Sequence, residues 1–341
     1  MKVAVTGAAG FVGTNLLRAL LAEGHDVLAL DRVTGPIPAG SHADGLLRWE
    51  HVDILDEDAV ATALHETEVL YHLVAMISLQ QEDPVAWRIN VDGVGSVARA
   101  AHRAGVRRMV HCGSLASFDY EGDLIVHEGT PRAVSPKLPV YHRSKYFGEV
   151  ELRKVVEQGL DAVVCNPTGV YGPVDNPAKL SRMNQGLLDS AAGRLPASVR
   201  GFFDMVDVRD VARGFILASE HGRTGHNYLL GGHRHSLLDV QIIIARLVGR
   251  HGPRIEIPLK ALQRLAPVID PVARRFGSDN FAPGTIEAIA MSPIVNRDKA
   301  KAELGYEPRA LEETLGDLVD FFLGADLLTT RIPRSIKEIR P

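Results

Sequence analysis

The stretch Lys2-Val-Ala-Val-Thr-Gly-Ala-Ala-Gly-Phe-Val-Gly13 decides the fold of this chain. Its first residues are β-branched or small, which predicts a buried strand that runs directly into a glycine-rich turn. Gly7 allows the tight turn because glycine tolerates backbone angles that a Cβ forbids. Gly10 would let the backbone approach a pyrophosphate, and Gly13 would let the next helix pack against the strand.

The residues that follow complete a strand–helix–strand unit. Leucines at helical spacing form the apolar stripe of a helix, and Gly24 ends it. The next strand, Asp26-Val-Leu-Ala-Leu30, leads to a carboxylate at the distance expected for a partner of a ribose 2′-hydroxyl. An ordinary βα turn is the alternative, but the whole unit favours a dinucleotide site. Its predicted residues are Gly7, Gly10, Phe11, Val12, Gly13, Asp31 and Arg32.

Two neighbouring residues at the end of that second strand bear on the form of the dinucleotide. Asp31 favours NAD because a carboxylate repels a 2′-phosphate. Arg32 points the other way, since its guanidinium could pair with that phosphate. We predict NAD as the cofactor, with NADP as the open alternative.

The second informative motif is Tyr141-His-Arg-Ser-Lys145. It lies within a stretch, 139–158, that has the pattern of a helix, so the tyrosine and the lysine share one face. A free tyrosine titrates near ~10 and is a weak base at neutral pH. A neighbouring ammonium favours the phenolate, so Tyr141 is the predicted acid/base and Lys145 its activator. An incidental spacing on a surface helix is the alternative.

A third catalytic residue should be a hydroxyl that polarises a substrate carbonyl. The strand Arg108-Met-Val-His-Cys-Gly-Ser114 ends at such a residue. Open α/β sheets place their sites at the carboxyl ends of their strands, so we predict Ser114, with Ser117 as the alternative.

The order of elements predicts the domain organisation. Strands alternate with helices through Asp161–Asn166, which predicts a doubly wound parallel sheet of the Rossmann type. From Pro167 the sequence becomes rich in turns. We therefore predict a dinucleotide-binding domain over 1–169, a smaller, mainly substrate-binding lobe over 170–330 and a basic tail over 331–341.

Composition excludes several classes of partner. The net charge of −4 argues against nucleic acid, and no apolar run approaches a membrane span. Met1 leads directly into the first strand, which argues against a signal peptide. Cys112 and Cys165 fall on predicted buried strands, which favours core thiols in a reducing, cytoplasmic compartment. His233-Arg-His235 is a predicted loop, and we predict no metal site.

These motifs together resemble the extended short-chain dehydrogenase/reductase family, within the NAD-dependent epimerase/dehydratase superfamily. The glycine spacing, the Tyr141–Lys145 pair and the closing segment Asp298–Pro308 carry the resemblance over nearly the whole chain. It implies that segments near 203–230 return to the sheet, so that the lobes interleave. It also implies that Asp53 contacts adenine and that Asn90 supports the site. The cofactor-binding residues that it adds are Asp53, Ile54, Ala75, Asn90, Tyr141, Lys145 and Pro167.

The resemblance also bears on the substrate. Members that use nucleotide sugars typically carry an arginine that holds the diphosphate, and Phe203 occupies its place here. Asp204 and Asp207 would add repulsion, whereas Arg200, three residues upstream, could replace the missing arginine. The overall pattern is similar to dihydroflavonol-reductase-like and 3β-hydroxysteroid-dehydrogenase-like members, which act on apolar alcohols and ketones.

We therefore predict an NAD(P)-dependent oxidoreductase that interconverts a secondary alcohol and a ketone on a hydrophobic, non-nucleotide small molecule. One alternative is a sugar epimerase or dehydratase that uses the same Ser114–Tyr141–Lys145 triad. Another is a non-catalytic dinucleotide sensor, although such proteins usually lose the tyrosine or the lysine. The sequence leaves the oligomeric state open, with a homodimer as one candidate.

Overall fold

The computed structural model describes residues 1–35, 45–120, 125–261, 264 and 292–328. At its centre is a seven-stranded sheet with the order β3-β2-β1-β4-β5-β7-β11, in which all neighbours are parallel. The described strands, in chain order, are β1 (Lys2–Thr6), β2 (Asp26–Asp31), β3 (Leu47–His51), β4 (Val69–His72), β5 (Arg108–Cys112), β6 (Ile125–Val126), β7 (Ala162–Pro167), β8 (Gly169–Tyr171), β9 (Ala197–Val199), β10 (Phe202–Asp207), β11 (Asn227–Leu230), β12 (His233–Ser236), β13 (Ile255–Ile257) and β14 (Ile294–Val295).

Helices cover both faces of the large sheet. The described helices are α1 (Phe11–Ala22), α2 (Glu57–Ala63), α3 (Pro84–Trp87), α4 (Gly93–Arg103), α5 (Val140–Val156), α6 (Arg182–Ala191), α7 (Val208–His221), α8 (Leu237–Leu247), α9 (Asp298–Leu304) and α10 (Leu311–Gly324). Within the described ranges, none of them is long and apolar enough to cross a membrane.

Strand residues alternate between two apolar clusters. In β4, Val69 and Tyr71 pack with α1 and α7, whereas Leu70 packs with α2, α4 and α5. This alternation follows from the two-residue repeat of a strand whose two faces are both buried. The predicted doubly wound parallel sheet of the Rossmann type is confirmed.

Two sequence signals begin the helical segment between β4 and β5. Asp83 accepts hydrogen bonds from two main-chain N–H groups of the first turn, at 3.1 and 3.0 Å, and Pro84 occupies the first position. The helix then widens into a π-type turn at Arg88–Asp92 before α4 begins. Turns of this kind often mark functional sites, and this one contains Asn90.

A smaller lobe is built around a second sheet. Strands β12, β10 and β8 form it, and β9 pairs with β13 beside it. Helices α6, α8 and α10 enclose an apolar cluster whose members include Tyr171, Leu187, Leu188, Val240, Leu315 and Phe322. Phe203 is partly buried and packs against this cluster.

Two segments lie elsewhere than the sequence indicated. The chain returns to the large sheet at β11, but Phe202–Asp207 belongs to the smaller sheet because it pairs with β8 and β12. His233-Arg-His235 lies in strand β12 and is not a loop, since it pairs antiparallel with β10. The predicted basic tail over 331–341 lies outside the described residues.

Gly232 joins the two sheets through a very close main-chain approach. A Cβ at this position would lie 1.8 Å from the carbonyl oxygen of Met205 in β10. The Gly232 N–H also donates to the Asp204 carboxylate at 2.8 Å. The relative position of the sheets therefore depends on the absence of a side chain here.

We expect Gly232→Ala to lower the free energy of unfolding by about 1–3 kcal/mol, because the backbones must separate. The matched control is Gly324→Ala, at a helix position where a Cβ meets nothing within 4 Å. That change should be neutral or stabilising, since alanine is the better helix former. Urea denaturation of both variants measures the difference, and equal stabilities would contradict the role of Gly232.

Candidate active site

Close contacts fix the glycine loop between β1 and α1. Gly7 has a φ of +72°, in the region that favours glycine, and a Cβ there would lie 3.0 Å from the Val74 nitrogen. A Cβ on Gly13 would lie 2.2 Å from the Gly7 oxygen. Both residues must therefore be glycine if the loop is to pack between α1 and the end of β4.

The amino terminus of α1 suits an anion. Gly10 caps the helix, no side chain among the described residues bonds to that cap, and the first turn holds no acidic residue. The first N–H groups of a helix have no partner within it, so those of Phe11, Val12 and Gly13 are donors for a ligand. A pyrophosphate fits these donors and the positive end of the helix dipole.

Asp31 lies against this loop. Its carboxylate accepts from the Ala9 N–H at 3.1 Å and from the Arg32 N–H at 2.7 Å. An acceptor held beside the glycine loop suits the hydroxyl groups of a ribose. Arg32 itself is exposed.

Four other predicted cofactor residues lie at or after the carboxyl ends of strands. Asp53 follows β3, is exposed and accepts from the Leu55 N–H at 3.0 Å, and Ile54 beside it is buried. Ala75 is exposed after β4, and Pro167 is buried at the end of β7.

Asn90 is buried, and the protein itself uses its amide. Its Oδ1 accepts from the Met76 N–H at 2.8 Å, and its Nδ2 donates to the Met76 carbonyl at 2.9 Å. The Nδ2 also donates to Ser144 Oγ on α5 at 2.9 Å. Asn90 therefore holds the segment after β4 against the helix that carries Tyr141.

Ser114, Tyr141 and Lys145 come together at the carboxyl end of β5. The Ser114 hydroxyl lies close enough to the Tyr141 phenol to lower the pKa of that phenol. Lys145 lies one turn further along α5, is 2% exposed, and its Nζ donates to the Cys112 carbonyl at 2.6 Å. The Ser114 Oγ also accepts from the Ala116 N–H at 3.2 Å, which fixes the serine side chain.

Burial dominates the proton affinities of this group. Burial raises the pKa of Tyr141 to about 12, although the nearby Ser114 hydroxyl lowers that pKa, and burial lowers the pKa of Lys145. The predicted lowering of the Tyr141 pKa by Lys145 is therefore not observed in the protein alone. The lysine ammonium is bonded to a main-chain carbonyl, and the phenol is held in its neutral form.

Gly113 explains why only one hydroxyl residue ends β5. A Cβ on Gly113 would lie 2.2 Å from the Asn166 Nδ2 at the end of β7. A serine or threonine would therefore collide with that amide. The amide instead approaches the main chain and donates to the Ser114 carbonyl at 3.3 Å.

Sequence reasoning missed a buried layer of histidines near Lys145. His72 bonds to Thr6 Oγ1 through Nδ1 at 2.7 Å and stacks on His111 with centroids 5.4 Å apart. The other ring nitrogens of both histidines have no partner among the described residues. Burial lowers the pKa of His72 to about 3 and also lowers that of His111, so both rings are neutral at pH 7. A single histidine in a strand carries no sequence signal for such a layer.

The predicted repulsion of a diphosphate by Asp204 and Asp207 is wrong, because both carboxylates are internal. Asp204 is 4% exposed and accepts from the Thr168 hydroxyl at 2.7 Å. Asp207 is 2% exposed, caps α7 and is held by the Arg209 guanidinium at 2.6 Å. Arg200 is exposed and forms an ion pair of 2.8 Å with Glu256.

The chain is similar to known proteins over most of its length. Residues 3–231 match the family described as the NAD dependent epimerase/dehydratase family. Sterol demethylase protein B of Methylococcus capsulatus is 32% identical, over 94% of this chain and 98% of its own. UDP-glucose 4-epimerase of Mycolicibacterium smegmatis is 30% identical, over 94% of this chain and 98% of its own length. The crystal structure of gox2253 is 32% identical, with a TM-score of 0.79 over 94% of this chain and 98% of that one.

The buried histidines generate a prediction about pH. Unfolded histidines titrate near ~6.5. Below that pH the unfolded chain binds protons that the buried rings do not, so stability falls as the pH falls, by about 1.4 kcal/mol per pH unit for each such histidine. His111→Phe should make the fall of stability with falling pH less steep, and it should raise the free energy of unfolding at pH 5. Urea denaturation from pH 7 to 4.5 tests it.

The control for that experiment is His65→Gln, at an exposed position. This change should leave the dependence of the free energy of unfolding on pH as it is in the unmodified protein. An unchanged slope in His111→Phe would show that the ring is protonated in the folded state.

A second prediction concerns Asp31. Asp31→Ala should shift the ratio of the dissociation constants for NAD and NADP towards NADP by tenfold or more, equivalent to about 1.4 kcal/mol. The cause is the loss of a ribose acceptor together with the loss of a charge that repels a 2′-phosphate. Arg32→Ala, at the next position, should shift the ratio the other way. Fluorescence titration with both dinucleotides decides it, and a tenfold NADP preference in the unmodified protein would contradict it.

Proposed function

Because this chain belongs to the NAD-dependent epimerase/dehydratase family, we propose that it is an NAD(P)-dependent oxidoreductase that interconverts a secondary alcohol and a ketone. The proposed substrate is a hydrophobic small molecule without a nucleotide. One observation carries the proposal: Tyr141 lies next to Ser114, and the buried Lys145, one helical turn away, contacts the Cys112 carbonyl at the end of β5. The amino terminus of α1 and Asp31 lie at the same edge of the sheet.

In this proposal the chain supplies the proton transfer and the orientation. The glycine loop and Asp31 would hold the dinucleotide, whose nicotinamide supplies or accepts the hydride. Tyr141 gives its proton to the carbonyl oxygen during reduction, and a neutral phenol at pH 7 is the form that this step needs. Ser114 donates to the same oxygen. Lys145 would stabilise the phenolate that remains once its ammonium turns from the Cys112 carbonyl towards Tyr141.

The side chains of the smaller lobe support an apolar substrate. Phe203 stands where nucleotide-sugar enzymes of this type carry an arginine, and it packs against the apolar cluster of the lobe. An aromatic ring offers a diphosphate no charge-assisted hydrogen bond. A relative that is 32% identical is named a sterol demethylase protein, which also supports an apolar substrate.

The proposal predicts turnover of apolar alcohols or ketones that depends on Tyr141. Purified protein is assayed by NADH fluorescence with 3β-hydroxysteroids, flavonoid-like ketones and UDP-glucose. Tyr141→Phe should lower kcat by about 10²–10⁴-fold, because only the proton carrier is lost, and should leave the cofactor dissociation constant within about twofold. The control is Tyr146→Phe on the same helix, which keeps the ring that lies under Arg132.

Two results would overturn this assignment. Activity of Tyr141→Phe within tenfold of the unmodified enzyme would remove the tyrosine from the chemistry. Binding of NAD without turnover of any class of compound would instead favour the dinucleotide sensor.

The second candidate is a nucleotide-sugar epimerase, favoured by the relative named UDP-glucose 4-epimerase at 30% identity. Calorimetry with UDP and UDP-glucose on the NAD-loaded protein separates it from the first. We expect no micromolar binding. Micromolar binding that disappears in Arg200→Ala would show that Arg200 leaves Glu256 to hold the diphosphate, and the epimerase would then be the better assignment.

A further inference from the structure

A buried carboxylate follows the candidate catalytic pair along α5. Glu149 lies four residues after Lys145 and eight after Tyr141, so all three side chains share one face of the helix. It is 3% exposed. Charged side chains are almost never buried to this degree unless they are paired.

Three donors from three other segments converge on this carboxylate. Its Oε1 accepts from the Asn166 Nδ2 at 2.9 Å, and its Oε2 accepts from the Asn227 Nδ2 at 2.9 Å and from the Arg132 guanidinium. Arg132 is itself fixed, since it lies 4.1 Å above the ring of Phe118. An ionised carboxylate, which only accepts, matches this set of donors.

The same donors hold the loop that carries Ser114. The Asn166 Nδ2 donates to the Ser114 carbonyl at 3.3 Å, and the Ser117 hydroxyl donates to it at 2.9 Å. Arg132 in turn donates to the Ser117 hydroxyl at 3.4 Å. A chain of hydrogen bonds therefore connects Glu149 on the helix of Tyr141 to the main chain of Ser114.

We propose that Glu149 is a positioning residue that fixes, through Asn166 and Ser117, the place of the Ser114 hydroxyl relative to the Tyr141 hydroxyl. The proposal rests on the proposed function, because it assigns Glu149 to that reacting pair. A role in stability alone does not account for the arrangement. Buried ion pairs are weak stabilisers, since desolvation of the charges offsets most of their attraction. The direct bonds to the Ser114 carbonyl instead place the network at the site.

The first experiment measures kcat and KM in Glu149→Gln with the apolar compound that the unmodified enzyme turns over best. The amide NH2 must face one of three donors, so the Ser114 loop should be displaced. We expect kcat to fall at least tenfold, with the KM and the cofactor dissociation constant within about twofold. The matched control is Glu151→Gln, on the same helix, whose carboxylate pairs with Lys154 at the surface. It should leave kcat unchanged.

A double-mutant cycle separates positioning from stability. In a Ser114→Ala background there is no hydroxyl left to position, so Glu149→Gln should then change kcat less than twofold. An equal loss in both backgrounds would overturn the proposal.

Glu149→Gln leaves Arg132 buried without its counter-charge, which by itself destabilises the fold. A second variant therefore separates loss of activity from unfolding. Glu149→Met with Arg132→Met removes both charges together, which is often neutral for stability. It should keep Tm within a few degrees and still lower kcat at least tenfold. A stable double variant with full activity would contradict the proposal.

Hydrogen exchange gives a readout that needs no substrate. Amide exchange over 113–120 should become at least tenfold faster in the double methionine variant, with exchange in α1 and α4 unchanged. Unchanged exchange over 113–120 would overturn the positioning role. If the exchange result holds and no compound is turned over, the proposed function fails and the link between Glu149 and Ser114 stands.

Discussion

The contact between Gly13 and the Gly7 carbonyl is the constraint on which the site depends. Because a Cβ at Gly13 would lie 2.2 Å from that oxygen, α1 can begin close against the end of β1. The same loop packs against Val74, which follows β4. The carboxyl end of β4 therefore lies beside the amino terminus of α1. Because β4 and β5 are parallel, the carboxyl end of β5 lies at the same edge of the sheet. The amino terminus of α1 and Ser114 therefore lie at the same edge of the sheet.

Burial then sets the chemistry of what meets at that edge. Low polarity favours neutral groups, so it raises the pKa of Tyr141 and lowers that of Lys145. An isolated charge would be unstable there, which is why Lys145 bonds to a carbonyl and Glu149 gathers three donors. Lys145 and Glu149 are therefore held in place by the cost of leaving them unpaired.

The sequence predicted what depends on local spacing. The glycine loop and the four-residue interval between Tyr141 and Lys145 each follow from neighbours along the chain, and the family resemblance extended them to the sheet. What it missed depends on distant partners. The burial of Asp207 requires Arg209, Arg309 and Thr314, and the position of β10 depends on pairing with two short strands. Short segments give no periodicity long enough to assign them to one sheet or another.

The burial of Asp204 and Asp207 changes which contacts could exclude a diphosphate. If they faced the substrate as free charges, repulsion alone would exclude a diphosphate, whatever Arg200 did. With Asp204 bonded to Thr168 and Asp207 neutralised by Arg209, that barrier is absent. The proposed discrimination against a diphosphate would then come from the absence of an arginine at Phe203, since a hydrogen bond to a charged group contributes about 1.5–3 kcal/mol. A difference of that size can be reversed by one arginine. Arg200 forms an exposed ion pair with Glu256, a kind of contact that contributes about 0–1 kcal/mol. The proposed specificity of this lobe therefore depends on a single exchange of partners.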